Sequence, residues 1–204
     1  MQPLEETILQ HTPEIPDSTK HYLFYLHGLI VEVAGIRPKS EEHGYYEYEL
    51  ILKEFARQGF IVISEVRQKD TQVQAYAEHL ASQVKKLLAA GVPQANITVV
   101  GASKGGIIAA YASSILRESE INFVFLAGLF EKCLVDENLT LHGKVLSIHD
   151  NSDTLSMKPD AYFERSKGQG TFEKIVVTLD LGHGVIYQPY REWVEPMLKW
   201  LDIT

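Results

Sequence analysis

A serine between two glycines is the first feature of this sequence that could do chemistry. Ser103 stands in Gly-Ala-Ser-Lys-Gly, with Gly101 and Gly105 two residues to either side. The apolar run 97–100 predicts a strand before it, and the small residues of 104–117 predict a helix after it. A sharp strand-to-helix turn strains the backbone, and glycines at these positions prevent collisions. The pattern predicts an exposed Ser103 hydroxyl beside the N-terminus of a helix, where an anion would be stabilised.

Six short apolar runs predict the strands that position this turn. Each is rich in β-branched or aromatic residues and apolar on both faces, which is typical of parallel strands covered on both sides. They are residues 22–26, 60–64, 97–100, 121–126, 144–148 and 174–179. Helical patterns alternate with them at 46–57, 71–90, 104–117 and 188–201. The alternation predicts the α/β class, as a three-layer α/β/α sandwich around a mostly parallel sheet of about six strands.

The composition and net charge exclude several classes of binding partner and metal site. The 204 residues carry a net charge of -8, which disfavours binding to nucleic acid and to anionic lipid surfaces. Cys133 is the one cysteine, so the chain can form neither an internal disulfide nor a cysteine-based metal site. We find no repeat or linker. We therefore expect a single domain over residues 1–204 that acts on a small molecule without cofactor or metal, while the oligomeric state stays open.

Targeting signals and phosphate- or metal-binding motifs are missing from the sequence. No apolar run is long enough to cross a membrane, and residues 1–10 lack the basic start and apolar core of a signal peptide. A cytoplasmic location is expected, although a mature exported form would look the same. Neither a phosphate-binding loop nor a His-Glu-x-x-His motif occurs, which argues against a nucleotide or metal enzyme.

In this setting, the Gly-x-Ser-x-Gly turn resembles the nucleophile turn of the α/β-hydrolase superfamily, and the likeness spans residues 22 to 201. The resemblance implies a nucleophile, an acid and a histidine in that chain order, each after a strand. Ser103 follows the run 97–100, Asp153 follows 144–148 and His183 follows 174–179. The interval 128–143, where such proteins carry caps, is short, so we expect a minimal α/β-hydrolase fold without a large cap.

The resemblance also assigns the base and the acid. His183 lies in Leu-Gly-His-Gly, which resembles the histidine loop of the family, and the other seven histidines have plainer explanations. The segment Ile-His-Asp-Asn-Ser-Asp-Thr resembles the family pattern His-Gly-x-x-Asp, whose last position is Asp153. Asp150 stands where the family has glycine. Asp150 and Asp136, which follows the run 121–126, remain alternative acids.

Two backbone N–H groups should form the oxyanion hole that the resemblance implies. One belongs to Lys104, directly after the nucleophile. The other belongs to Leu29, because Tyr-Leu-His-Gly-Leu resembles the family's His-Gly-x motif. A plain turn at Gly28 and a solvated surface charge on the Lys104 side chain are the alternative interpretations. We favour the oxyanion role because the run 22–26 should neighbour the nucleophile strand at the switch point of the sheet.

The loop 30–46 is the expected rim of the site. Glu65 and Arg67, at the end of the run 60–64, either border the site, or Glu65 forms an internal ion pair with Arg67 or with Arg37. The polar and aromatic residues that the loop would bring to the rim are Arg37, Lys39, His43, Tyr45 and Tyr46.

These features predict a carboxylesterase-like serine hydrolase that cleaves small to medium carboxylic esters through an acyl-enzyme. A thioesterase, a hydrolase of short peptides or a lyase would use the same side chains. A non-catalytic ligand-binding protein of the same fold is the alternative from another class, because fold alone does not fix function.

Overall fold

Seven parallel strands form the central sheet of the computed structural model, which describes residues 7–203. Residues 1–6, on which the expectation about a signal peptide partly rests, lie outside the described residues. In chain order the strands are β1 (Ile8–Leu9), β2 (Tyr22–Leu26), β3 (Lys39–Ser40), β4 (Gly44–Tyr45), β5 (Ile61–Ile63), β6 (Ile97–Ala102), β7 (Asn122–Leu126), β8 (Gly143–Asp150) and β9 (Gly170–Val177). The sheet order is β1-β5-β2-β6-β7-β8-β9, and β3 pairs with β4 as a separate antiparallel ribbon.

Six α-helices connect and cover the strands within the described residues 7–203. They are α1 (Leu29–Ala34), α2 (Tyr48–Arg57), α3 (Val73–Ala89), α4 (Lys104–Leu116), α5 (Asp160–Arg165) and α6 (Arg191–Trp200). Three short 3₁₀ helices are Gln94–Asn96, Glu131–Val135 and Gly182–Ile186. Within residues 7–203, no helix has both the length and the apolar character that crossing a membrane requires.

The alternation of side chains along β2 explains the three layers. Tyr22, Phe24 and Leu26 point into a core covered by α3 and α4, whereas Leu23 and Tyr25 point into a second core covered by α1, α2 and α6. Successive residues of a strand face opposite sides of the sheet, so a strand that is apolar at every position needs helices on both sides. The predicted α/β/α sandwich is confirmed.

The sheet order creates a switch point between β2 and β6. From β2 the chain runs to β5 on one side, and later to β6 on the other, with Leu26 opposite Gly101 at the carboxyl ends of the strands. Loops that leave two such strands in opposite directions open a crevice, where α/β sheets bind ligands. The predicted pairing of these two strands places the loop after β2 beside the turn after β6.

Two features differ from or refine the sequence prediction. The sheet has one strand more than the six predicted, because β1 contains only Ile8 and Leu9 and is too short to give an apolar run. The interval 128–143 contains only the short 3₁₀ helix Glu131–Val135, so no large cap covers the carboxyl edge of the sheet there.

Candidate active site

Ser103 lies at the turn between β6 and α4, with backbone angles φ 50° and ψ −119°. A positive φ is uncommon for residues other than glycine and marks a strained turn. A Cβ at Gly101 would lie 2.6 Å from the Gly105 carbonyl oxygen, and one at Gly105 would overlap the Leu26 carbonyl. The close approach of neighbouring backbone therefore requires both glycines, as the sequence predicted.

The imidazole of His183 lies between the hydroxyl of Ser103 and the carboxylate of Asp153. His183 belongs to the 3₁₀ helix that follows β9, and Asp153 lies in the turn after β8. The Nε2 atom of His183 is 2.9 Å from Oγ of Ser103, and its Nδ1 atom is 3.0 Å from Oδ2 of Asp153. Three side chains from three separate loops thus form one hydrogen-bonded chain.

Asp153 is buried but well supplied with hydrogen-bond donors. Its Oδ1 accepts from the Leu155 N–H at 2.8 Å, and its Oδ2 accepts from the Ser156 hydroxyl at 2.6 Å. Burial raises the pKa of Asp153, but hydrogen bonds from His183, Ser156 and the Leu155 amide outweigh it and hold the pKa well below its ordinary value. The carboxylate stays ionised, so it favours the His183 tautomer with the proton on Nδ1.

Asp150 connects two loops near the site through hydrogen bonds instead of binding His183. It is fully buried at the end of β8 and accepts hydrogen bonds from the N–H groups of Ser152 and Leu179, both at 2.9 Å. The Ser152 hydroxyl donates to Asp150 and accepts from the Gly182 N–H at 2.9 Å. Asp150 therefore ties the turn after β8 to the loop that carries His183.

Asp136 supports a turn of its own. Its Oδ1 accepts from the Asn138 N–H at 3.0 Å, just beyond the 3₁₀ helix Glu131–Val135. Of the three candidate acids, Asp153 is the one whose carboxylate is hydrogen-bonded to His183.

The loop after β2 passes directly beside the nucleophile turn. A Cβ at Gly28 would lie 3.5 Å from the Cβ of Ser103. Leu29 is the first residue of α1, and Lys104 is the first residue of α4. Because the first N–H groups of a helix have no carbonyl partner within it, the amides of Leu29 and Lys104 are suited to bind an anion near Ser103.

A buried cluster of charges beside this loop was not foreseen from the sequence. The side chains of Glu32 and Arg67 have no exposed surface, and Arg67 Nε lies 3.3 Å from Glu32 Oε2. The Lys104 ammonium lies 2.6 Å from Glu32 Oε1 and donates to the Thr71 carbonyl at 2.9 Å. Lys104 is therefore not the solvated charge of the alternative interpretation. The available signal was a single charged residue, Glu32, in the otherwise apolar helix Leu29–Ala34.

His27, between β2 and the predicted oxyanion loop, is completely buried. The Arg67 N–H donates to His27 Nε2 at 3.0 Å, and the Arg67 guanidinium donates to the His27 carbonyl. Burial, aided by the positive charges of Arg67 and Lys104, lowers the pKa of His27 to about 3. The ring therefore stays neutral in the folded protein at neutral and mildly acidic pH.

We expect His27 to make the protein less stable at pH 5 than at pH 7. In the unfolded chain an imidazole binds a proton near pH 6.5, whereas folding keeps His27 neutral, so protonation favours unfolding. The free energy of unfolding should be about 2 kcal/mol lower at pH 5 than at pH 7. Urea unfolding at both pH values measures it, and His27→Gln should lose about 2 kcal/mol less than wild type. The control is His21→Gln, which removes an exposed imidazole; equal losses in wild type and His27→Gln would contradict the assignment.

A mostly apolar cleft of about 680 Å³ opens beside Ser103 and His183. Three of its apolar side chains are well exposed: Leu29 at 49%, Val33 at 58% and Leu155 at 66%. The volume lies within the range of about 300–1,000 Å³ that is typical of small-molecule sites. The lining residues are Gly28, Leu29, Ile30, Val33, Ser103, Phe130, Glu131, Lys132, Leu155, His183, Ile186 and Tyr187.

The loop 30–46 borders the cleft through its apolar residues Ile30 and Val33, but the polar and aromatic residues expected at the rim are not among those that line it. Arg37 forms an ion pair with Glu47 at 2.6 Å and stacks over the Tyr45 ring. Tyr46 is buried, with its hydroxyl 2.6 Å from that of Tyr25. The walls of the cleft come instead from α1 and from the segment 130–132. The alternative ion pair of Glu65 with Arg67 or with Arg37 is also wrong, since Arg67 pairs with Glu32 of α1 and Arg37 pairs with Glu47.

Neither a protein-family model nor a curated protein matches this sequence. Solved structures match it over almost its whole length. Esterase PE8 is 17% identical with a TM-score of 0.56, covering 95% of this chain and 99% of that one. A serine hydrolase without lid from Xanthomonas campestris is 14% identical with a TM-score of 0.51, covering 94% and 84%. The chain has the α/β-hydrolase fold. The RedJ thioesterase of the prodiginine pathway in Streptomyces coelicolor is 10% identical with a TM-score of 0.53, covering 94% and 90%.

The α/β-hydrolase fold accounts for the placement of the three polar side chains. Each one follows the carboxyl end of a strand, and the parallel order β6-β7-β8-β9 brings those ends to one edge of the sheet. Because the identities to these structures are 17% or lower, the likeness establishes the fold. The reaction has to be argued from the side chains at that edge.

Proposed function

We propose that this protein is a serine hydrolase that cleaves carboxylic esters of small to medium size through an acyl-enzyme. The observation that carries the proposal is the hydrogen-bonded chain from Asp153 through His183 to Ser103, beside an apolar cleft. A serine hydroxyl is a weak nucleophile until a neighbouring base takes its proton, and the base needs a carboxylate to orient it. These three side chains have the types and contacts for those roles.

In the proposed mechanism, His183 Nε2 accepts the proton of the Ser103 hydroxyl as Oγ attacks the ester carbonyl carbon. His183 then donates this proton to the leaving alkoxide oxygen, so that the alcohol departs and the acyl group remains on Ser103. A water molecule, deprotonated by His183, attacks the acyl-enzyme, and His183 returns that proton to Ser103 Oγ as the bond to the acyl group breaks and the acid leaves. Asp153 stabilises the imidazolium that forms in each half of the reaction.

Negative charge develops on the substrate carbonyl oxygen in both tetrahedral intermediates. We assign its stabilisation to the N–H groups of Leu29 and Lys104, the first residues of α1 and α4. The buried pair of Glu32 and Arg67 supports both donors: Glu32 is part of α1 and binds the Lys104 side chain, and Arg67 binds the carbonyl of the loop before α1. Their role would be to fix the distance between the donors.

The walls of the cleft favour an apolar acyl group. Leu29, Val33 and Leu155 present hydrocarbon surface beside the nucleophile. Burying one methylene contributes about 0.8 kcal/mol, which corresponds to about a fourfold gain in kcat/KM. Without a large cap over this edge of the sheet, the alcohol portion of the ester can extend into solvent.

A chain-length series of p-nitrophenyl esters from acetate to laurate tests this function, measured beside the corresponding acyl-CoA thioesters. We expect kcat/KM to rise by up to about fourfold per methylene at first, and to fall once the chain outgrows the cleft. Val33→Asp places a charge on the exposed wall of the cleft, so it should lower turnover of octanoate much more than that of acetate.

Two results would count against the proposal. Turnover of the acyl-CoA series with none of the oxygen esters would indicate a thioesterase. Binding of the esters without turnover of either series would indicate the non-catalytic alternative.

A further inference from the structure

Three metal-binding side chains converge outside the cleft that holds Ser103. The Nδ1 atom of His11 lies 3.3 Å from Oε2 of Glu65, and the Nε2 atom of His79 lies 4.0 Å from the same oxygen. All three donor atoms lie within 4.8 Å of one another. None of these residues lines the Ser103 cleft, so the proposed hydrolysis does not use the cluster.

Three separate elements bring the cluster together. His11 follows the edge strand β1, and Glu65 follows β5, with which β1 pairs in parallel. A hydrogen bond of 2.8 Å from the Ser64 N–H to the Leu9 carbonyl extends that pairing to the residues just before the cluster. His79 lies on α3, on the exposed side of the helix. The cluster is thus a junction of β1, β5 and α3.

The side chain of Gln83 contacts one of the three candidate ligands, His79. The side-chain oxygen of Gln83 accepts the Thr12 N–H at 2.8 Å, so the amide nitrogen of Gln83 faces His79 and donates to its Nε2 at 3.0 Å. The single lone pair of His79 Nε2 accepts this hydrogen bond and is therefore directed at Gln83. A cation bound to His79 Nε2 would take the place of the Gln83 contact.

We propose that His11, Glu65 and His79 bind one divalent transition-metal ion, with zinc as the best fit and water completing its coordination. Imidazole nitrogens and carboxylate oxygens bind zinc at about 2.0–2.2 Å, which places neighbouring ligands of a tetrahedral site about 3.3 Å apart. The separation between His11 and Glu65 has this value. A modest rotation of the exposed His79 side chain completes the triad.

Bound zinc would link the short edge strand to the rest of the fold. Within the sheet, β1 has only the two register pairs Ile8 with Val62 and Leu9 with Ile63. Because His11, Glu65 and His79 would each bind the ion, the ion would connect the end of that strand to β5 and α3. The ion therefore stabilises the folded state, because the unfolded chain does not hold the three ligands together.

Calorimetric titration of the untagged, EDTA-treated and dialysed protein with zinc chloride tests the proposal. We expect one saturable site in the micromolar range, at least about tenfold weaker in His79→Ala and in His11→Ala. Both side chains are exposed, so neither variant should unfold, and far-ultraviolet circular dichroism checks this. The matched control His21→Ala, which removes another exposed histidine, should bind zinc as wild type does.

Thermal unfolding with and without zinc provides a second readout. Saturating zinc should raise the Tm of wild type and His21→Ala, and should leave the Tm of His79→Ala unchanged. Cobalt in place of zinc should give visible absorption typical of tetrahedral coordination in wild type and in His21→Ala, and little of it in His79→Ala. The absence of saturable zinc binding would overturn the proposal, and so would binding of equal strength in wild type, His11→Ala and His79→Ala.

Discussion

Replacement of Ser103 by alanine is expected to lower kcat/KM for p-nitrophenyl butyrate by at least about a thousandfold. The change removes the proposed nucleophile, and what remains is the slow reaction supported by binding and by the N–H groups of Leu29 and Lys104. Alanine keeps the β-carbon that already occupies the strained turn, so the fold should be preserved. Initial rates and the Tm, measured on the same preparation, test both expectations.

The matched control for this change is Ser82→Ala, which removes a serine hydroxyl from the exposed side of α3. It should keep the rate of wild type. If Ser103→Ala retained more than about a tenth of the wild-type rate, the assignment of the nucleophile would be wrong.

Replacement of Asp153 by asparagine should lower kcat by roughly 10³ to 10⁴. Asparagine occupies the same volume but carries no charge, so it neither stabilises the imidazolium of His183 nor enforces the proton on Nδ1. The amide can still accept the hydrogen bonds from Leu155 or Ser156 at its oxygen. We therefore expect a folded protein with a large catalytic defect, measurable as kcat together with a circular dichroism spectrum.

The two alternative acids provide the comparison. Asp150→Asn should lower the Tm, because the amide NH₂ group cannot accept hydrogen bonds from the N–H donors that now bind the buried carboxylate. At temperatures well below that Tm, the variant should retain most of kcat. Asp136→Asn should resemble wild type in both measurements, since Asp136 accepts hydrogen bonds from the Asn138 N–H and the Tyr111 hydroxyl, which an asparagine oxygen can also accept. A loss of kcat at Asp150 equal to that at Asp153, without a change in Tm, would reverse the assignment.

The strands and the nucleophile turn could be predicted because local sequence determines them. The run 22–26 is apolar at every position, and the strand has the same bounds. Gly101 and Gly105 could be read as turn residues because the close approach of backbone depends on neighbours within a few positions. The pairing of β2 with β6 was expected from the family resemblance, whereas the full order of the strands was not predicted.

The charged cluster was harder to foresee because its partners are distant in sequence. Glu32 is 35 residues from Arg67 and 72 residues from Lys104, and each of these has several alternative partners in the sequence. Pairing of this kind depends on how helices pack on the sheet. The polar residues expected at the rim were misplaced for a related reason: the sequence could not show that Arg37 would bind Glu47. Strand β1 escaped notice because only its pairing with β5 defines it.

Covalent labelling tests the central claim most directly. The intact protein is treated with a fluorophosphonate, which reacts with serine hydroxyls activated by a neighbouring imidazole. Mass spectrometry of the intact chain and of its peptides then counts and locates the label. We predict one phosphonyl group on Ser103 in wild type and none in Ser103→Ala or in His183→Ala. Absence of label from wild type, or a label that persists on another residue in Ser103→Ala, would contradict the account.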